Sequence, residues 1–170
     1  MMEEIRFKAG ILTMSDKGSR GERVDESGAL ASRMLEADGF EIVEYKIVPD
    51  KVEEITGAIR DWCDIKKLSL IVTSGGTGLS PSDVTPQAMS KILDFEVPGM
   101  AEAMRAESLK KTPHAMISRA MAGVRGTTLI VNLPGSPKGV KENLEVVLPA
   151  LKHAISKLTG DNTDCATPLK

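Results

Sequence analysis

Aromatic residues make up only 3% of this 170-residue chain, with one tryptophan and one tyrosine. The core must therefore be built from Ile, Leu, Val, Ala and Met. Cysteine is almost absent. Cys63 and Cys165 stand far apart, with no CxxC pair and no Cys/His cluster, which excludes the usual zinc spacings and points to a reducing, cytoplasmic setting. Neither sign of charge is in large excess, the formal net charge being -2. Nucleic-acid binders normally show a basic surplus, so no nucleic-acid partner is expected. No apolar run approaches the roughly 20 residues that span a bilayer, and Met1 to Lys8 alternates charges without the apolar stretch of a secretory signal. What remains is a mixed-charge chain of ordinary apolar content, long enough for one core and short for two. We expect a single domain over 5–160 and a polar, frayed tail over 161–170.

Apolar patterning alternates between strand-like and helix-like stretches. Phe7 to Met14 reads as a buried strand, followed by a polar loop from Ser15 to Val24. Asp25 or Ser27 can cap a helix carrying Leu30, Ala31, Met34 and Leu35, which Gly39 stops. Phe40 to Val48 reads as a second strand ended by Pro49-Asp50, and Val52, Ile55, Ile59 and Trp62 form one helical stripe. Leu68 to Thr73 is a nearly continuous apolar run, the mark of a strand covered on both faces. Thr85-Pro86 opens a helix. Residues 96 to 123 show no convincing strand, only short Met-rich helices broken near Thr112-Pro113. Thr127 to Leu133 is another strand, and Gly139 to Leu158 is helical with a kink or break expected at Pro149. The pattern predicts an α/β fold: a largely parallel sheet in a three-layer sandwich, with helices on both faces. Ligands of such sheets sit beyond the carboxyl ends of the strands. The loops to inspect are therefore Ser15–Val24, Pro49–Asp50, Ser74–Val84 and Pro134–Gly139.

The most informative of these is Ser74-Gly75-Gly76-Thr77-Gly78, continuing to Asp83-Val84-Thr85-Pro86. Glycines and hydroxyl residues between a buried strand and a helix start let backbone N–H groups gather around an anion. A phosphate is the natural ligand, though a ligand-free tight turn is the plainer alternative. Neither common nucleotide motif fits: no GK[ST] follows, and Pro81 stands where GxGxxG would need its third glycine. With no loop lysine, a metal would have to neutralise the phosphate. Asp50 and Asp83 can hold Mg2+, which takes one or two carboxylates plus water and phosphate oxygens. Each has an equal structural alternative, Asp50 as the cap of a helix beginning at Lys51 and Asp83 as a dipole partner before the next helix. Pro134-Gly135-Ser136 and Lys138 form a third candidate loop, equally readable as a plain turn. His114 and His153 fall in no candidate loop and read as surface or structural residues.

The segments TSGGTGLSPSDVTPQA, EVPGMAEAMR, ISRAMAGVRG and NLPGSPKGVKENL, in that order, resemble the molybdopterin adenylyltransferases. That family includes MogA-type bacterial enzymes, the G domain of the plant molybdenum-cofactor protein and the N-terminal domain of gephyrin. The resemblance runs from about Lys8 to Leu158. It implies a homotrimer that takes molybdopterin and Mg-ATP, releases adenylyl-molybdopterin and pyrophosphate, and passes its product to a separate molybdate-insertion protein. It also implies roles for residues: Asp50 and Asp83 in catalysis and Mg2+ binding, and Ser74, Gly75, Gly76, Thr77, Gly78, Ser118, Arg119, Pro134, Gly135 and Ser136 in substrate binding. Asp16 and Asp25 to Gly28 fall where the family has its first loop and helix start. The Met-rich segment 96–123 is expected to supply part of a subunit interface. The chain is short after its last helix, as in the sister MoaB group, some members of which bind molybdopterin without adenylylating it. It nevertheless keeps Pro49-Asp50 and Asp83-Val84-Thr85-Pro86, which places it on the active side. A nucleotide hydrolase of the same fold is the other class left open.

Overall fold

The computed structural model describes residues 6–162. Cys165 and most of the expected tail lie outside the described residues. The elements run β1 (Lys8–Met14), α1 (Asp16–Ser19), α2 (Glu26–Ala37), β2 (Glu41–Val48), α3 (Val52–Arg60, prolonged by a π turn over Asp61–Ile65), β3 (Leu70–Ser74), α4 (Thr85–Ile92), β4 (Phe95–Glu96), α5 (Pro98–Leu109), a 3-10 turn (Pro113–Ile117), β5 (Ala122–Arg125), β6 (Thr128–Leu133) and α6 (Pro137–Leu158). One six-stranded sheet has the order β2-β1-β3-β6-β5-β4. Its first four strands are parallel, and β5 and β4 complete it antiparallel.

Side chains alternate across the sheet, so each strand feeds two cores. Ile11, Val72, Leu129 and Val131 pack with Leu35 of α2 and with Leu144, Leu151 and Ile155 of α6. Leu12, Ile71 and Ile130 face the other way, against Ile55 and Ile59 of α3 and Met89 and Ile92 of α4. β3 is buried at every position, as its continuous apolar run predicts. The three layers are therefore as expected.

Four local expectations need correction. The loop after β1 contains a short helix, α1, capped by the Ser15 hydroxyl accepting from the Gly18 N–H. Residues 96–123 touch two strands, β4 of two residues and β5 of four; strands this short leave no alternating pattern to read. Pro149 neither ends nor divides α6, which continues for 22 residues. It lies on the exposed face, as does Glu145, whose carbonyl is the one left without its helical donor and is open to water. Finally, Asp50 does not cap α3. The N-cap is Lys51, with no side-chain bond.

Candidate functional site

From β1 the chain crosses to β2 on one side, and from β3 it crosses the other way, to β4 at the far edge. The loops leaving β1 and β3 thus diverge, opening the crevice that binds ligands in open parallel sheets. A cavity of about 710 Å3 occupies it, lined by Met14 and Ser15 after β1, Asp50 after β2, Ser74 to Gly76 and Asp83 after β3, and Gly135 and Ser136 after β6. Asp25 and Ser27, at the start of α2, close its wall.

Hydrogen bonds tie these loops together. The Ser74 hydroxyl donates to the Pro134 carbonyl (3.0 Å), and Ser27 donates to the Gly135 carbonyl (2.8 Å). The Thr85 hydroxyl donates to the Gly75 carbonyl (2.9 Å). Gly75 and Gly76 have φ of +99° and +66°, in the region that disfavours side chains. A Cβ on Gly75 would lie 2.6 Å from the Met14 carbonyl oxygen, and one on Gly76 would lie 2.3 Å from the Thr85 hydroxyl. The glycines are thus required by close packing among the strand-end loops themselves. Gly75 N–H donates to the Leu133 carbonyl. The N–H groups of Gly76, Thr77 and Gly78 make no hydrogen bond to protein among the described residues, so they are left for water or an anion.

Asp50 and Asp83 reach the same cavity. One Asp50 oxygen accepts from the Asp16 N–H at 3.0 Å; the other would be 3.5 Å from a Cβ on Gly76. Partial burial, aided by the neighbouring charges of Asp16 and Asp83, holds the Asp50 carboxyl above its usual range. Asp83 accepts from the Ser80 N–H at 2.9 Å, and α4 begins beyond it from Val84 with no side-chain cap. Asp50 is thus not the helix cap that its position in the sequence allowed, while Asp83 does stand just before the N-cap of α4. No cluster of three or more His, Cys, Asp or Glu able to hold a metal exists among the described residues. A cation here would have two carboxylates at most and would depend on phosphate and water oxygens for the rest, which is how Mg2+ is usually held.

A second cavity, of about 370 Å3, adjoins the first at Ser136. Thr77, Gly78, Ser118 and Pro134 line it, together with Arg105, Lys111, His114 and Lys138 and a single acidic residue, Glu142. The predicted substrate residues are thus split between two adjoining spaces. Arg119 alone lines neither. Its guanidinium donates to the carbonyls of Gly78 (2.8 Å) and Asp83 (2.7 Å), bracing both ends of the glycine loop. His114 is exposed, as expected, but it is also part of the second cavity's wall, which the sequence pattern did not foreshadow. Arg105 and Lys111 were likewise missed. They lie on and just beyond α5; Arg105 closes the EVPGMAEAMR segment without a role assigned to it by the resemblance, and Lys111 lies in none of the resembling segments. Ser136 caps α6 by accepting from the Gly139 N–H at 3.0 Å while lining both spaces.

An α/β sheet whose switch point gathers free amides and two carboxylates has the small-molecule site of open parallel-sheet proteins. Residues 10–153 match the family model described as "Probable molybdopterin binding domain", and the chain belongs to that family. It is 44% identical over 168 residues to gephyrin of Dictyostelium discoideum, covering 93% of this chain but 23% of that protein. It is 39% identical to the molybdopterin adenylyltransferase of Helicobacter pylori J99, covering 89% of this chain and 88% of that enzyme. Among solved structures it resembles the molybdopterin biosynthesis enzyme MoaB of Thermus thermophilus, with 54% identity, a TM-score of 0.86, and coverage of 91% and 98% of the two chains.

Proposed function

We propose that this protein adenylylates molybdopterin: it transfers AMP from Mg-ATP to the pterin's terminal phosphate and releases pyrophosphate. The observation that carries the reading is the pair of adjoining cavities of opposite charge. The first carries Asp25, Glu26, Asp50 and Asp83 against Arg23, so a triphosphate would enter it only with its charge offset by a cation. The second carries Arg105, Lys111 and Lys138 against Glu142, and suits the phosphate of molybdopterin directly.

Asp50 and Asp83 would hold Mg2+, which when bound neutralises the triphosphate and polarises the α-phosphate. The free amides of residues 76–78 would receive phosphate oxygens between the two cavities, and Ser136 would orient whichever ligand group crosses. A terminal oxygen of the pterin phosphate attacks the α-phosphorus, and the bond to the bridging oxygen of pyrophosphate breaks. That nucleophile is already anionic, so no general base is required. Positioning and charge neutralisation carry such a reaction. The protein would act as a cytoplasmic homotrimer, with Leu109, Met116 and Ile117, all exposed here, packed in a subunit interface. Its product would pass to a molybdate-insertion protein.

Incubation with molybdopterin and Mg-ATP, followed by mass spectrometry, should yield adenylyl-molybdopterin and pyrophosphate together. Pterin binding without turnover would indicate a carrier, and pyrophosphate without a pterin acceptor would indicate a hydrolase.

A further inference from the structure

Asp50 owes its placement to a contact with residue 16, at the start of α1. The Asp50 N–H donates to the Asp16 carboxylate at 2.9 Å, and the Asp16 N–H donates to the Asp50 carboxylate at 3.0 Å. Each residue thus gives one backbone donor and one side-chain acceptor to the other, closing a ring between the loops after β1 and β2. A further bond, from the Ser15 N–H to the Val48 carbonyl at 2.9 Å, fixes the same two loops just inside the ring. α3 begins at Val52, and its N-cap Lys51 makes no side-chain bond, so the Asp50 carboxylate is not held by capping its own helix. The ring occupies one Asp50 oxygen and leaves the other on the Gly76 side. Asp16 itself is not among the residues lining either cavity. Two half-buried carboxylates this close repel one another. Retaining that repulsion beside the cavity is reasonable only if the geometry it enforces is used.

We infer that Asp16 is a positioning residue for nucleotidyl transfer, its carboxylate anchoring the backbone of residue 50 so that one Asp50 oxygen is presented to the metal-nucleotide. This rests on the reading of Asp50 given above. The test compares Asp16→Ala, Asp16→Asn and Asp16→Gln with Asp50→Ala and the Asp16→Ala/Asp50→Ala double variant. Two quantities are read: kcat with KM for molybdopterin, and the rise in Tm produced by Mg-ATP. Asn keeps an acceptor oxygen in place without the charge; Gln moves it one carbon outward and substitutes for the alanine variant should that one not fold.

For Asp16→Ala we expect kcat to fall roughly 10-fold or more, toward the roughly 100-fold that a 1 Å misplacement can cost, with KM for molybdopterin little changed and the Mg-ATP effect on Tm reduced. Asn should restore both readouts to within about threefold of wild type, well above Gln. In the Asp50→Ala background, Asp16→Ala should cost nothing more, since there is no carboxylate left to position. An unchanged kcat in Asp16→Ala would overturn the inference. So would Asn as slow as Ala, which would make charge the operative property, or a full effect of Asp16→Ala in the absence of the Asp50 carboxylate. If Asp50→Ala alone turns over normally, the reading of Asp50 itself fails, a result distinct from all of these.

Discussion

The two cavities on either side of Ser136 are built in different ways. The first is made by loops that directly follow β1, β2, β3 and β6, each placed by the strand before it. The second borrows its cations from α5 (Arg105), the segment just after it (Lys111) and the first turn of α6 (Lys138), which become neighbours only when those elements pack. The first presents carboxylates and the second presents cations. A reaction between two phosphorylated substrates gains from such a division, because each substrate is sorted by charge before the two meet at the loop between them.

The largest expected effect tests the acidic side. Asp50→Asn and Asp83→Asn delete the charges assigned to the cation while keeping shape and a hydrogen-bonding oxygen. Adenylylation should slow by a factor of a few hundred, for about 3–4 kcal/mol of lost transition-state stabilisation at about 1.36 kcal/mol per tenfold. The dissociation constant for molybdopterin should change less than about threefold on the same scale. Equal losses in both would erase the distinction between the cavities.

Next is the loop between them. Gly76→Val would place a β-branched residue at φ +66°, with its Cβ 2.3 Å from the Thr85 hydroxyl. The strain, about 1–3 kcal/mol, would break the Thr85–Gly75 bond and shift the free amides. Thermal unfolding should show a lower Tm, and both substrates should bind more weakly. Loss of pterin binding alone, with Tm unchanged, would mean that this glycine faces the ligand rather than Thr85.

On the basic side, Lys138→Ala removes a cation that has no ion-pair partner among the described residues. Molybdopterin affinity should fall about tenfold at low salt and less at high salt, where exposed charges are screened. KM for Mg-ATP should hold. Lys111 offers a contrast within the same wall: it already pairs with Glu142 at 3.3 Å, so Lys111→Ala should weaken pterin binding less.

The smallest effect concerns the shared residue. Ser136→Ala removes the cap of α6 and should cost about 1 kcal/mol of stability, visible as a drop in Tm. A loss of kcat per folded molecule beyond this would show that the hydroxyl also serves a substrate.

This difference in construction also decides what could be read from the sequence. Strand, loop and helix start are contiguous in Thr73 to Pro86 and in Asn132 to Gly139, so the sheet's ligand-binding end and the glycine loop were legible from pattern alone, whereas Asp50 and Asp83 each had an equal structural alternative until the family resemblance was added. The caps were half legible: Asp25 does cap α2, its carboxylate accepting from the Gly28 N–H, but Asp50, for which a cap was the structural alternative, instead has its partner across the crevice. That partner, Asp16, lies 34 residues away, and no local rule links the two. Arg105 was hidden for the same reason. Its place in the cavity wall follows from α5 packing beside α6, and on a helix surface an arginine reads as a solvated charge. β4 and β5 escaped because pairing at a sheet edge, not periodicity, makes them strands.

The division of substrates between the cavities is tested most directly by photolabelling with 8-azido-ATP and Mg2+, followed by peptide mapping. The account predicts label on the first cavity's wall, around Arg23 to Ser27 or Ile47 to Asp50, and undiminished label when molybdopterin is also bound. Label concentrated on Arg105 to Ser118, displaced by molybdopterin, would contradict it.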